Sequence, residues 1–244
     1  MKVLNYFNVR TFLAIAISQA AAFLVIHYHL KLNHNLLLFS LVVVFPLHFS
    51  LQAAFKRREK ALEYFSRFKA GSMAVHYSLQ TAGDLPDEQK TEARNLLKQM
   101  ATTLIGQLEG YQSEYSAMQS RLNDIMAFAE RYREQLSKRN VLRVIRYLKD
   151  VTESSTYLIS LVRHRTMRGI RFYSTLFILL FPLIQAPIVH HYFGSALPSW
   201  TIYIACGLGS LILITLDNFQ KLIEYPFDPR GMDNIVLRDF NLDI

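Results

Sequence analysis

The sequence predicts an all-α membrane protein, with four transmembrane helices in two hairpins and a cytoplasmic helical bundle between them. Three observations carry this reading. The chain of 244 residues is 51% hydrophobic yet 19% charged, too apolar for an average water-soluble domain and too charged for one held wholly in lipid. Its apolar residues gather at 11–28, 36–55, 172–193 and 200–216, each close to the ~20 residues a helix needs to cross ~30 Å of hydrocarbon. No alternating strand pattern occurs along the chain.

The first two spans are separated only by HYHLKLNHN and the last two only by HYFGSALPSW, so each pair reads as a hairpin. This divides the chain into a first transmembrane hairpin (1–55), a cytoplasmic helical domain (56–171), a second transmembrane hairpin (172–218) and a cytoplasmic C-terminal segment (219–244). Lys31 is the only lysine or arginine in the two short connections. Lys2, Arg10, the middle segment, Lys221, Arg230 and Arg238 lie on the other side. By the positive-inside rule the termini and middle domain are cytoplasmic, in a multi-pass protein of the cell membrane. The formal net charge of +8 is then a topological bias and an attraction to anionic headgroups. Basic residues are spread among acids with no groove-reading motif, which argues against nucleic acid. AISQAAA after Lys2 and Arg10 offers small residues for signal cleavage, but the apolar run continues and a second span follows, so a retained helix is expected.

The second span has no stop at Phe55. Ala61, Leu62, Phe65, Phe68, Met73 and Val75 continue its pattern among charges, so one helix should run on beyond the apolar part. Gly83 and the DLPDE stretch end it and restart the chain, with proline and acids in a first helical turn. Residues 88–109 and 111–136 read as two amphipathic helices jointed at Gly110, and the segment after Asn140 as a third.

On a helical wheel of the second span, Leu41, Phe45, His48 and Gln52 share an arc of roughly 60°, with Phe49 at its edge. The other side carries Val42, Val43, Leu47, Leu51 and Ala54. Polar groups at membrane depth face a partner helix or a water-filled cavity, because lipid cannot satisfy them. One reading is a hydrogen bond from His48 and Gln52 to a neighbouring helix. The other is a pore in which Leu41, Phe45 and Phe49 form an apolar neck, with His48 and Gln52 as its polar pore-facing residues. Four helices are too few to enclose both a core and a water path, so a pore requires several copies around a central axis. Phenyl rings gate by dewetting and turn a partly positive edge toward a passing anion. At the end of the span Lys56, Arg57 and Arg58 serve either as headgroup anchors or as basic groups at the inner mouth, raising the local concentration of anions.

FPLHFSLQAAFKRREKA at the end of the second span and LDNFQKLIEYPFDPRGMDNIVLRDF after the fourth resemble the bestrophin channel family. The tail is the more specific of the two. It has the family's acidic residue followed by Pro-Phe, here Glu224, Pro226 and Phe227, then a turn with Asp228 and Asp233. The resemblance implies a homo-oligomer, a pentamer, in membrane lipid. It also implies passive conduction of small anions such as chloride past a neck at Leu41, Phe45 and Phe49. Cation-conducting prokaryotic relatives leave a monovalent cation channel as the alternative, and a membrane-anchored signalling or scaffold protein is the rival from another class. Two features depart from the family. Asp228, Asp233 and Asp239 are interrupted by Arg230 and Arg238, too sparse for the six or more oxygens of a calcium clasp. RTMRGIRFY stands where the family carries a Thr-Pro-x-Pro element.

No enzyme constellation is present: there is no phosphate loop, nucleophile elbow or HExxH motif. No cofactor or metal is expected. The lone Cys206 excludes an internal disulfide. His27, His29, His34, His190 and His191 near the outer connections admit a zinc site, but read better as part of an aromatic belt with Tyr28, Tyr192 and Trp200.

Overall fold

A computed structural model describes residues 8–110, 112, 114–164, 168–194, 196–227 and 235–244. Among the described residues, seven α-helices follow in order: α1 (Val9–His27), α2 (Leu36–Gln80), α3 (Asp87–Glu109), α4 (Ser116–Arg131), α5 (Ser137–Arg163), α6 (Arg168–Phe193) and α7 (Trp200–Ile223). A short 3-10 turn follows at Leu237–Phe240, and no strand occurs among the described residues. The chain divides into two compact units. The first gathers α1, α2 up to Lys56, α6, and α7 through Glu224. The second takes α2 from Arg57, then α3, α4 and α5, together with Phe227 and the last ten residues.

The first unit contains the apolar helices. α1, α2, α6 and α7 are each long and apolar enough to cross a membrane. α1 begins with a reciprocal cap: the Asn8 side chain accepts from the Arg10 and Thr11 amides, and the Asn8 amide donates to Thr11 Oγ1. α1, α6 and α7 pack on one another. Their interior joins Ala14 of α1, Val43 and Leu47 of α2, Ile178 and Phe181 of α6, and Leu213 and Ile214 of α7. Two glutamines cross between these helices: Gln19 Nε2 donates to the Tyr203 carbonyl (3.2 Å) and Gln185 Nε2 to that of Ala205 (3.3 Å). Glycine makes room for both. A Cβ on Gly207 would come within 2.9 Å of Gln19 Nε2, and one on Gly209 within 2.8 Å of Gln185 Oε1. Small residues at helix crossings are how apolar helices approach closely where no hydrophobic drive separates protein from lipid.

α2 is a single helix of 45 residues with Pro46 inside it. At 1.5 Å per residue it is roughly 67 Å long, over twice the ~30 Å of bilayer hydrocarbon. Its later turns belong to the second unit, where Ala61, Phe65, Phe68, Val75 and Leu79 are buried. These pack with Leu97, Met100, Leu104 and Leu108 of α3, Met118, Leu122, Ile125 and Phe128 of α4, and Val144, Leu148, Val151 and Leu158 of α5. The acids Asp87 and Glu88 sit in the first turn of α3 behind Pro86, where the helix dipole favours negative charge.

The expectation of one helix over 111–136 is corrected. α4 starts only at Ser116, because Gln107 holds the intervening turn: its carbonyl accepts from the Gln112 amide (2.8 Å) and its Nε2 donates to the Glu114 carbonyl (2.9 Å). α4 ends at Arg131, and Ser137, at φ 56°, opens α5 from the left-handed region.

His76, on the part of α2 that belongs to the second unit, is nearly buried. Burial lowers its imidazole pKa below the usual 6.5, and Arg94 and Lys98 lower it further. A histidine with a depressed folded pKa leaves stability intact above about pH 6.5 and withdraws it as the pH falls through and below that value. The melting temperature is expected to fall between about pH 7.5 and about pH 5.5, and His76→Gln to recover part of that fall. An identical pH dependence in the variant would assign the acid sensitivity to other groups.

Candidate functional site

The first turns of α2 have two unlike sides. Val43, Leu47, Ser50 and Ala54, spaced by four, three and four residues, are buried. The opposite side holds Leu41, Phe45 and Phe49, which are 46%, 47% and 60% exposed, with His48 and Gln52 also exposed among them. The Phe45 and Phe49 ring centroids are 5.9 Å apart, and His48 stands edge-on to Phe49 at 6.0 Å. The structure therefore brings all five residues onto one outward face. Neither His48 nor Gln52 bonds to a neighbouring helix among the described residues, which removes that reading within a single chain. An outward imidazole and carboxamide at membrane depth need water or a second copy of the chain to satisfy them.

The basic cluster that follows divides its work. Lys56 is exposed. Arg57, the first residue of the second unit, donates to the carbonyls of Leu161 and His164, at the end of α5 where backbone acceptors lack helical partners and a cation is favoured. Lys60 and Arg67 both bond Glu63, at 2.6 and 2.8 Å. The Lys60 bond holds the Glu63 carboxyl below its ordinary range. These pairs are solvent-exposed and contribute little to stability.

The C-terminal motif residues part company. Glu224 is buried in the first unit. Phe227 is buried in the second, edge-on to Phe65 at 5.8 Å, and Phe65 in turn stacks on Phe240 at 4.6 Å. The Pro226 carbonyl accepts from the Ile235 amide (2.9 Å), and Lys69 Nζ donates to the Asp239 carbonyl (2.7 Å). The tail thus lies along the later turns of α2. Asp228 and Asp233 fall outside the described residues.

Sequence reasoning missed a polar hub on α7. Asp217 is fully buried, accepts from Lys221 and lies 3.9 Å from Arg10. Asn218 donates to Thr11 Oγ1 (3.1 Å) and accepts from Asn8 (3.4 Å). Gln220 donates to Ser50 on the buried side of α2. One polar turn of α7 therefore anchors α1 and the helix that bears the exposed face. Its signal was legible in LDNFQK, four polar residues ending an apolar helix, since such groups are kept there only with partners.

Comparison by sequence finds no matching family model and no matching curated protein. Comparison by fold finds solved structures that resemble nearly the whole chain. A bacterial bestrophin homologue from Klebsiella pneumoniae superposes with a TM-score of 0.78 at 12% identity, over 95% of this chain and 93% of that one. A second crystal structure of such a homologue gives 0.78 and 12% over 95% and 92%. A crystal structure described as a membrane protein gives 0.74 and 13% over 95% and 93%. The likeness is one of fold, and it extends over nearly the whole chain. The protein is bestrophin-like in architecture.

Proposed function

We propose that this bestrophin-like chain assembles as a homo-oligomer, a pentamer, around a central pore lined by α2, and passively conducts small anions such as chloride. The observation that carries the reading is the outward face of α2. Its opposite side is packed, yet it holds Leu41, Phe45 and Phe49 with His48 and Gln52 interleaved. Copies arranged around an axis would gather the three apolar side chains into a neck and give the two polar ones water. Lys56 would add positive charge at the inner mouth. The distribution of lysine and arginine supports a cell-membrane protein with cytoplasmic termini and middle domain. Four membrane-length helices and the bestrophin fold support the integral membrane placement.

One observation favours a monovalent cation channel as the second reading. Arg57 is engaged with the α5 carbonyls, so part of the cationic cluster is occupied within the chain. The test is current through purified protein in a planar bilayer under a KCl gradient. A reversal potential near that of chloride supports the anion reading, and one near that of potassium replaces it with the cation reading. A correctly assembled oligomer that stays silent under every condition tried would favour the scaffold.

A further inference from the structure

The histidines of the outer connections do not behave as one set. His27 stacks on Phe23 at 5.7 Å and stands edge-on to Tyr28, and His191 stands edge-on to Tyr192 at 5.2 Å. Those two fit an aromatic belt. His34 is simply exposed. His29 and His190 instead face one another across the fold, with ring centroids 6.5 Å apart and planes inclined by 27°.

Three further features mark this pair. His29 sits at φ 51°, in the left-handed region that a residue with a Cβ adopts only under constraint. Its backbone is held before it by the Tyr28 amide on the Leu24 carbonyl (2.9 Å), and after it by the Leu30 amide on the Val25 carbonyl (3.0 Å) and the Leu32 amide on the Pro187 carbonyl of α6 (3.2 Å). Both ring nitrogens of His190 are buried and hydrogen-bond to nothing among the described residues. Gly194 packs closely against the ring, since a Cβ there would come within 2.5 Å of His190 Nδ1.

A neutral imidazole has one N–H and one lone pair, and leaving both unmatched is unfavourable. Protonation would turn the lone pair into a second orphan donor beside another histidine and Lys31. Coordination of a metal uses the lone pair directly. Imidazole suits zinc, copper and nickel. The stretches HYHLKLNHN and APIVHHYFGSALPSW contain no aspartate or glutamate, so the hard oxygen ligands of calcium and magnesium are missing. With metal–nitrogen bonds of ~2.0–2.1 Å and tetrahedral angles, two imidazole centroids stand roughly 5 Å apart. The pair must close by about 1.5 Å to reach that spacing, a movement available to the exposed His29 side chain by rotation about its own torsions while its backbone stays held.

We infer that His29 and His190 form a binding site for a divalent transition metal, with water completing the coordination. Bound metal would clamp the connection between α1 and α2 onto the end of α6. The inference stands apart from conduction, because its readout is binding.

The test is calorimetric titration of zinc, copper(II) and calcium into the tag-free, detergent-solubilised full chain. Zinc and copper should each bind once per chain, copper the tighter in keeping with the usual metal order, and calcium should give no binding heat. His29→Asn keeps a residue that tolerates the left-handed region and should weaken zinc at least about tenfold, as should His190→Ala, each loss removing one of two imidazole ligands. His34→Ala should bind as wild type. Unaltered zinc affinity in His29→Asn, equal weakening in His34→Ala, or no zinc binding by wild type would overturn the site. Should His190→Ala lose its helicity or its elution position, the His29→Asn result decides.

Discussion

Phe45→Ala and Phe49→Ala are each expected to raise the current through the reconstituted protein several-fold, with the melting temperature shifting by no more than about 2 °C. The two rings are 47% and 60% exposed on the outward face of α2, so truncation removes few contacts within the chain. In an oligomeric neck the same truncation widens an apolar constriction and lowers the dewetting barrier to ion passage. A tenfold rise in current corresponds to about 1.4 kcal/mol removed from that barrier. The paired measurement of current and melting separates a pore from a packing face. A fall of many degrees with unchanged conductance would make Phe45 and Phe49 a contact surface and would support the scaffold reading. Val43→Ala, on the buried side of the same turns, is the natural comparison, since it should lower stability without opening a neck.

Phe65→Ala should produce the largest loss of stability of any substitution considered. Phe65 is 0% exposed, with Phe227 edge-on and Phe240 stacked against it. Removing a buried phenyl ring costs about 3–5 kcal/mol, from lost transfer energy and the cavity left behind. In a chain of this size that is roughly a 10 °C fall in melting temperature. Because Phe227 and Phe240 both come from the tail, Phe65→Ala should also make the last residues more accessible to protease than in wild type. Phe65→Leu retains much of the volume and should cost far less. A melting temperature within a few degrees of wild type for Phe65→Ala would mean that the tail does not hold to α2 as described.

Much of this architecture was readable along the chain because its signals are local. Four apolar runs near membrane length appear as α1, the start of α2, α6 and α7. The absence of any breaker after Phe55 appears as one helix through Gln80. Period 3.6 placed Leu41, Phe45, His48, Phe49 and Gln52 on a common side, and the structure turns that side outward. The length of the turn before α4 was misread, because a side chain from α3 holds it. Helix pattern alone does not register a glutamine bonding to backbone seven residues on.

The sequence by itself determined the helical class, the membrane-length spans, the long second helix and the face that α2 presents. Each depends on composition and spacing within a few turns. Only the tertiary structure decided that Arg57 serves the end of α5, that Asp217, Asn218 and Gln220 anchor α1 and α2 to α7, and that His29 meets His190. These pairings join residues more than a hundred positions apart, except the bond from Lys221 to Asp217. Their partners are selected by how the helices close on one another, a property that no local period along the chain encodes.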